Sequence, residues 1–257
     1  MVQSLDRALS ILEYLSKRKS MGVTEIAEVF SIDKSTATRI MQTFAAHDIV
    51  EKDDYTQKYH MSNGTLQLSY QVLLNNRIVQ IARPELLELA RITKETARLC
   101  AISRDHIYIL EQVQSGNERF LQNADIPGTR KPFHCSAIGK VMMAYMPEDE
   151  LSELLSRLDF KQYTENTICD VEQLRKQLKE IRIQGYALNQ AEYADRAHCV
   201  AVPVFDELGH PSYSIGFSGM IDYLQQPERF HQILTCMQQS AKKLSEKYCY
   251  EFHKQRY

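Results

Sequence analysis

The stretch KSTATRIMQTFAAHD, residues 34–48, constrains this chain more than any other. Ala37, Ile40, Met41, Phe44 and Ala45 recur at i, i+3, i+4, i+7 and i+8, the spacing of one buried helix face. The opposite face carries Ser35, Thr38, Arg39 and Gln42, with Lys34 and Thr36 at the helix start. Upstream, SLDRALSILEYLSKR sets Leu5, Ala8, Leu9, Leu12 and Leu15 on one helical stripe, with Ser4 as N-cap and Gly22 as the breaker beyond it. TEIAEVF follows as a short helix capped by Thr24, with Ile26, Ala27 and Phe30 inward. Downstream, IVEKDDYTQKYHM reads as two strands about the turn DDYTQ, with Lys52 and Lys58 on either side.

Helix, helix, turn, helix and hairpin is the order of a winged helix-turn-helix. Its third helix enters the major groove by its N-terminal end, and the hairpin lies along the flanking backbone. Lys34, Ser35, Thr36, Thr38, Arg39, Gln42 and Lys58 are then the candidate DNA contacts, donors to phosphates or base edges. Charge does not favour this reading. Residues 1–62 hold eight Lys/Arg against nine Asp/Glu, whereas DNA readers usually show a basic footprint. The basic residues do fall on the proposed contact elements, and several acids lie on the first two helices. A plain structural subdomain is the competing reading.

At 257 residues the chain has room for one large domain or two ordinary ones. Hydrophobic residues make up 44% and charged residues 25%, a normal globular balance, and the net charge is −2. No apolar run approaches the roughly 20 residues that cross a bilayer. The N-terminus lacks the basic start of a signal peptide, so no membrane partner and a cytoplasmic location are expected. Six cysteines are scattered without C-x-x-C spacing, which points to free thiols, with no disulfide framework or zinc finger.

The second half mixes strands and helices. MSNGTLQLSYQVLLNN reads as a linker helix with Leu66, Tyr70, Leu73 and Leu74 on one side, a stripe best buried against a second subunit. ARPELLELARITKETA is a helix with Pro84 near its start, and RLCAISRDHIYILEQVQ is a hairpin about SRDH. SAIGKVMMAYM, EDELSELLSRL and DVEQLRKQLKEIRIQG are helical, the last closed by Gly185. CVAVPVFDELGHPSYSIGFSG is two strands about DELGH with Gly209 at the turn, and PERFHQILTCMQQSAKKLSEKY is a final helix. The pattern implies an α+β domain with a central antiparallel sheet.

HCSAIGK, residues 134–140, admits several chemistries. A His134–Cys135 nucleophile pair is disfavoured, because adjacent extended side chains point opposite ways and no third orienting group is identifiable. A phosphate loop needs G-x-x-x-x-G-K-[ST], of which only Gly-Lys is present. A metal shared with His198–Cys199 meets the same alternation limit, so no metal and no cofactor are assigned. The remaining reading is a helix N-terminus capped by Ser136, whose first turn offers backbone N–H groups to a small carboxylate. A purely structural cap is the alternative.

VQSLDRALSILEYL, TEIAEVFSIDKSTATRIMQTF and YHMS resemble the N-terminal domain of IclR-family transcriptional regulators. RPELLELARITKETA, HCSAIGK and GYALNQAEYADRAHCVAVPVFDELGHPSYSIGFSGM resemble that family's effector domain. The resemblance implies a winged helix-turn-helix over 1–62, a linker helix over 63–78 and a GAF-like α+β effector-binding domain over 79–257. It further implies a homodimer or homotetramer on double-stranded operator DNA, most simply as a repressor of a catabolic operon governed by a small organic acid. Carried over by position, Ser136, Ala137, Ile138, Asn189, Cys199, Gly216 and Ser218 would surround that acid, Ala137 and Ile138 through backbone N–H. Asn189 stands where the family often has aspartate and Gly216 where it often has serine. A glycine there leaves room for an acid larger than two or three carbons, hydroxylated or aromatic. Ser31 and Gln57 stand where glycine is frequent, which leaves both turns open. A small-carboxylate-processing enzyme with an appended helical domain is the alternative; it lacks a poised acid/base pair beyond lone Glu192 and His198, so no catalytic residue is assigned. A pure interaction module fits the two-part organisation poorly.

Overall fold

The computed structural model describes residues 2–114, 126–195, 197–206, 208–218 and 226–254. The chain divides into two compact units, residues 1–75 and 76–257.

In the first unit, α1 (Gln3–Ser16), α2 (Val23–Val29) and α3 (Lys34–Ala46) precede a hairpin of β1 (Val50–Lys52) and β2 (Tyr59–Met61), and α4 (Gly64–Asn75) follows. Ile11, Leu15, Met21, Ile26, Ala27, Ala37, Met41, Val50 and Tyr59 form its core. Met21 and Tyr59 exchange backbone hydrogen bonds at 2.8 Å, adding a third short edge to the hairpin. This is a winged helix-turn-helix.

The caps differ from those expected. α1 begins one residue before Ser4, with Val2 at the N-cap and no side-chain bond there. Its buried residues are Ile11 and Leu15, while Leu5 and Leu9 are exposed. In α2 the N-cap is Gly22, not Thr24; the Glu25 carboxylate turns back to accept from the Gly22 N–H at 2.7 Å. Ala45 is exposed, so the inner face of α3 rests on Ala37 and Met41, with Ile40 and Phe44 half-buried. Both non-glycine turn positions adopt the left-handed conformation: φ is 50° at Ser31 and 57° at Gln57.

In the second unit, α5 (Arg77–Thr93) leads into β3 (Thr96–Ser103), β4 (His106–Val113), β5 (Arg130–Lys131), α6 (Ala137–Met143), α7 (Glu148–Arg157), α8 (Val171–Gln184), β6 (Ala187–Gln190), β7 (His198–Val204), β8 (Tyr213–Ser218) and α9 (Pro227–Lys254). Asn76 is extended, so α4 and α5 are separate helices. Pro84 lies inside α5, not near its start. Its missing N–H removes a single helix bond, the one to the Gln80 carbonyl.

The six strands form one antiparallel sheet in the order β5-β4-β3-β8-β7-β6. α5 and α9 cover one face, and α6 lies on the other with α8 behind it. The α6 side buries Cys100, Ile107, Ile109, Ala187 and Ala201 against Ile138, Val141, Met142, Leu154 and Leu178. Gly185 closes α8 at φ 80° and Gly209 turns between β7 and β8 at φ 76°; Glu207 of that turn lies outside the described residues.

A left-handed L-residue is disfavoured by about 1–2 kcal/mol, against roughly 0.5–1 kcal/mol of extra unfolded-state freedom for glycine. Ser31→Gly therefore stabilises the N-terminal unit by about 0.5–1 kcal/mol. Urea unfolding of the full chain should show a raised midpoint; a lowered one contradicts this account.

Candidate functional site

The polar face of α3 is presented by burial of its other side. Lys34, Ser35, Arg39 and Gln42 are exposed, and Thr36 and Thr38 half-buried. These side chains do not all point to solvent partners. Asp33 is the N-cap: its carboxylate accepts from the Thr36 N–H at 2.8 Å, from the Thr36 hydroxyl at 2.7 Å and from the Ser35 hydroxyl. Those bonds, Ser35 first, hold Asp33 well below the usual carboxylate range. The Thr38 hydroxyl donates to the Lys34 carbonyl at 2.7 Å. The anion position at the helix start is thus taken by the chain's own aspartate. Lys34, Arg39 and Gln42 are the exposed long side chains of that face. Lys58 is half-buried and pairs with Glu25 at 2.9 Å, fastening the hairpin to α2.

The second candidate region lies where α6 meets the sheet. Ser136 caps α6, its hydroxyl accepting from the Gly139 N–H at 3.1 Å and donating to the Pro132 carbonyl. Helix geometry leaves the Ala137 and Ile138 N–H groups without intrahelical acceptors. A Cβ at residue 139 would lie 2.4 Å from the Phe133 carbonyl oxygen, so only glycine permits this approach. The lysine of HCSAIGK is fully buried, and its Nζ lies 2.6 Å from both Glu192 oxygens. Burial pushes the Lys140 ammonium below its usual range. Glu192, one of the lone residues that an enzyme would need as acid or base, is therefore one half of a buried ion pair.

Asn189 joins the same network. Its Nδ2 donates to the Cys135 carbonyl at 3.0 Å and its Oδ1 accepts from the Glu192 N–H at 2.9 Å. Strand register brings Asn189 opposite Cys199, and Cys199 opposite Ser218. Gly216 lies one side-chain repeat before Ser218 on the same face. Ser136, Ala137, Ile138, Asn189, Cys199, Gly216 and Ser218 are thus brought to one seam. Gly216 leaves no free room, however. A Cβ there would lie 2.8 Å from Ile138 Cγ2, so the space is filled by Ile138, and the size argument built on Gly216 falls.

The His134–Cys135 pair is not poised for chemistry. His134 bonds the Lys161 carbonyl at 3.0 Å, and burial drives the Cys135 thiol up to about 12. Among the described residues no group of three or more His, Cys, Asp or Glu is placed to hold a metal. No helix among them is long and apolar enough to cross a membrane.

Three residues of this seam escape sequence reading: Lys140, Arg98 and Gln112. Lys140 carries a signal in hindsight. Every residue of α6 is buried, and a lysine in a helix apolar all round requires a buried partner. Arg98 and Gln112, on adjacent strands, have no such signature.

Two outcomes test this packing. Glu192→Gln leaves Lys140 buried without its carboxylate and lowers stability by about 3–5 kcal/mol. A lysine whose folded-state pKa is depressed gains stability as pH rises toward the unfolded value, so the deficit of Glu192→Gln shrinks between pH 7 and 10 in urea titrations. Gly216→Ala overpacks against Ile138 and lowers stability by about 1–3 kcal/mol. Adding Ile138→Ala restores part of it; strict additivity in that cycle contradicts the contact.

The comparisons with known proteins agree with this architecture. Residues 4–54 match the IclR helix-turn-helix domain, and residues 70–246 match the family described as bacterial transcriptional regulator IclR C-terminal. The HTH-type transcriptional regulator KdgR of Escherichia coli is 30% identical over 245 residues, 95% of this chain and 92% of its own length. The crystal structure of an IclR transcriptional regulator from Alicyclobacillus acidocaldarius superposes with TM-score 0.82 at 27% identity, covering 96% of this chain and 98% of that one. An IclR homolog from Microbacterium hydrocarbonoxydans, complexed with 4-hydroxybenzoate, shares the fold at TM-score 0.77 and 19% identity, covering 95% of this chain and 98% of that one. The α+β unit is consistent with a GAF-like fold, and the matched proteins are regulators, not enzymes. With both halves matched in order, this chain belongs to the IclR family of bacterial helix-turn-helix transcriptional regulators.

Proposed function

We propose that this chain represses a catabolic operon by binding its operator through α3 and the β1–β2 hairpin, and that a small organic acid held between α6 and the sheet relieves that repression. Residues 1–62 read DNA, 63–78 connect, and 79–257 sense the acid. The observation that carries the DNA half is α3 itself. Buried Ala37 and Met41 fix the helix, and Lys34, Arg39 and Gln42 project from its opposite side. Ser35, Thr36 and Thr38 contribute hydroxyl oxygens already oriented by Asp33 and Lys34. Lys58 reaches DNA by exchanging Glu25 for a phosphate.

A single recognition helix reads one half-site, so two copies are needed for a full operator. α4 supports this: Leu66, Leu68, Tyr70, Val72 and Leu74 are exposed and the helix buries nothing in its own unit. Such a surface is best covered by the same helix of a second copy, as a homodimer or a pair of dimers, in the cytoplasm.

Sensing is assigned to the seam of Ser136, Ala137, Ile138, Asn189, Cys199, Gly216 and Ser218. An acid bound in one arrangement of α6 shifts DNA affinity by a coupling of about 1–3 kcal/mol, and DNA shifts acid affinity by the same factor. An acid that feeds a catabolic operon serves as inducer when it weakens operator binding. That 4-hydroxybenzoate occupies the Microbacterium homolog is in keeping with an acid ligand.

The test is a gel shift at fixed salt with DNA from upstream of the chain's own gene, with and without a panel of small acids. Operator binding is expected, with release by one class of acid. Arg39→Ala weakens binding by about 1–3 kcal/mol; unchanged affinity overturns the docking through α3.

A further inference from the structure

Tyr55 stands at the tip of the β1–β2 hairpin with its side chain 98% exposed, more than any other large hydrophobic side chain among the described residues. The turn that carries it is nonetheless tightly built. The Asp53 carboxylate accepts from the Tyr55 N–H at 3.1 Å, from the Thr56 N–H at 2.6 Å and from the Thr56 hydroxyl at 2.8 Å. The Gln57 N–H donates to the Asp53 carbonyl at 2.9 Å. The Gln57 side chain donates to the Asp54 carbonyl at 2.7 Å and accepts from Lys52 Nζ at 2.5 Å. At the base of the hairpin, Val50 and Tyr59 share one core with Ala37 and Met41 of α3. A ring is thus held out in water by a turn whose own bonds fix it and whose stem is fastened to α3.

A tyrosine in water forgoes the burial that an aromatic ring can gain, on the order of 150–250 Å². The charge around it decides what kind of contact recovers that area. Residues 52–58 hold two lysines and two aspartates, and Lys58 is engaged by Glu25, so the tip brings no net charge to a polyanion. Contact with DNA at this point is then short-range: the ring lies against deoxyribose and the hydroxyl donates to a phosphate oxygen. We propose that Tyr55, positioned by Asp53, packs against the sugar–phosphate backbone flanking the α3 site and gives the hairpin an affinity for DNA that does not depend on ionic attraction. This deepens the reading of the hairpin as part of the operator-binding surface and rests on it. A plain solvated turn would leave DNA affinity indifferent to the ring.

The chain has no tryptophan, so Tyr55→Trp places a single indole fluorophore at the tip. The probe is a DNA duplex that the full wild-type chain enriches from a random pool. Wild type, Tyr55→Ala, Tyr55→Phe, Tyr55→Trp and Arg39→Ala are compared on it by gel shift between about 50 and 200 mM salt, after urea unfolding establishes that each is folded. Tyr55→Ala is expected to weaken binding by about five- to thirtyfold with the salt slope unchanged, whereas Arg39→Ala removes a cation and flattens the slope by about 0.9. Tyr55→Phe keeps the ring contact and loses less. The duplex quenches the indole of Tyr55→Trp and shields it from acrylamide. An indole still open to acrylamide in a complex that forms overturns the assignment and leaves the ring to a protein partner. Wild-type affinity in Tyr55→Ala, with Arg39→Ala weakened, overturns it while docking through α3 stands. If no duplex is enriched, or if Arg39→Ala and Tyr55→Ala both match wild type, the docking reading and the assignment fall together.

Discussion

The buried pairing of Lys140 with Glu192 is the contact around which the C-terminal unit is arranged. Both carboxylate oxygens lie 2.6 Å from Nζ, and the pair sits where water cannot share the charge. Such a pair contributes little net stability compared with apolar packing, because both ions were desolvated to make it. Its effect is geometric. The Glu192 N–H holds Asn189, Asn189 holds the Cys135 carbonyl, and the Thr167 hydroxyl donates to the Glu192 carbonyl at 2.6 Å. Ala191, between Asn189 and Glu192, is kept at φ 59°, a conformation alanine adopts only when its surroundings impose it. The ion pair and these hydrogen bonds together join the segment before α6, α6 itself, the end of β6 and the 164–167 turn.

That arrangement bears on the acid sensing proposed above. A ligand shifts an equilibrium only by the difference of its affinity for two states. The seam supplies a physical basis for two states. α6 touches the sheet through Ile138 seated over Gly216 and is tied to the turn after β6, at Glu192, by the ion pair. On the proposed reading, an acid drawn toward the sheet must either accommodate Ile138 or displace it, and displacing it moves a helix whose lysine is held by Glu192. On that reading small ligand movements become discrete helix movements, because packed interiors are not continuously deformable.

What the sequence disclosed follows from how local each signal is. The face of α3, the hairpin about Arg104 and Asp105, the glycine ends at Gly185 and Gly209 and the cap at Ser136 depend on residues within a few positions of one another, and all were readable. Ser4 and Thr24 are good capping residues, yet both helices start earlier, α2 on the local bond between Gly22 and Glu25. Lys140 and Glu192 are 52 positions apart, and Arg98 and Ser218 are 120, so no spacing rule connects them. Gly216 misled for a related reason: an absent side chain signals either a vacancy or a close approach, and only the position of Ile138 decides which. Ser31 and Gln57 are left-handed although neither is glycine, a conformation that local propensity does not assign to serine or glutamine.

The DNA side shows how an acidic unit can bind a polyanion. Asp33 occupies the N-terminal donors of α3, so the helix start cannot cradle a phosphate as a bare helix end would. Yet the hydrogen bonds that fix Asp33 also orient Ser35 and Thr36, and the carboxylate stabilises the helix that carries Lys34 and Arg39. Glu25 similarly holds Lys58, the hairpin cation of the proposed docking. The acids of this unit thus organise its cations. Affinity then resides in a few placed side chains, and each phosphate that a lysine or arginine neutralises adds about 0.9 to the salt slope of binding. With so few cations on α3 and the hairpin, the proposed docking relies less on non-specific attraction than a strongly basic reader does, and more on base contacts by Arg39 and Gln42.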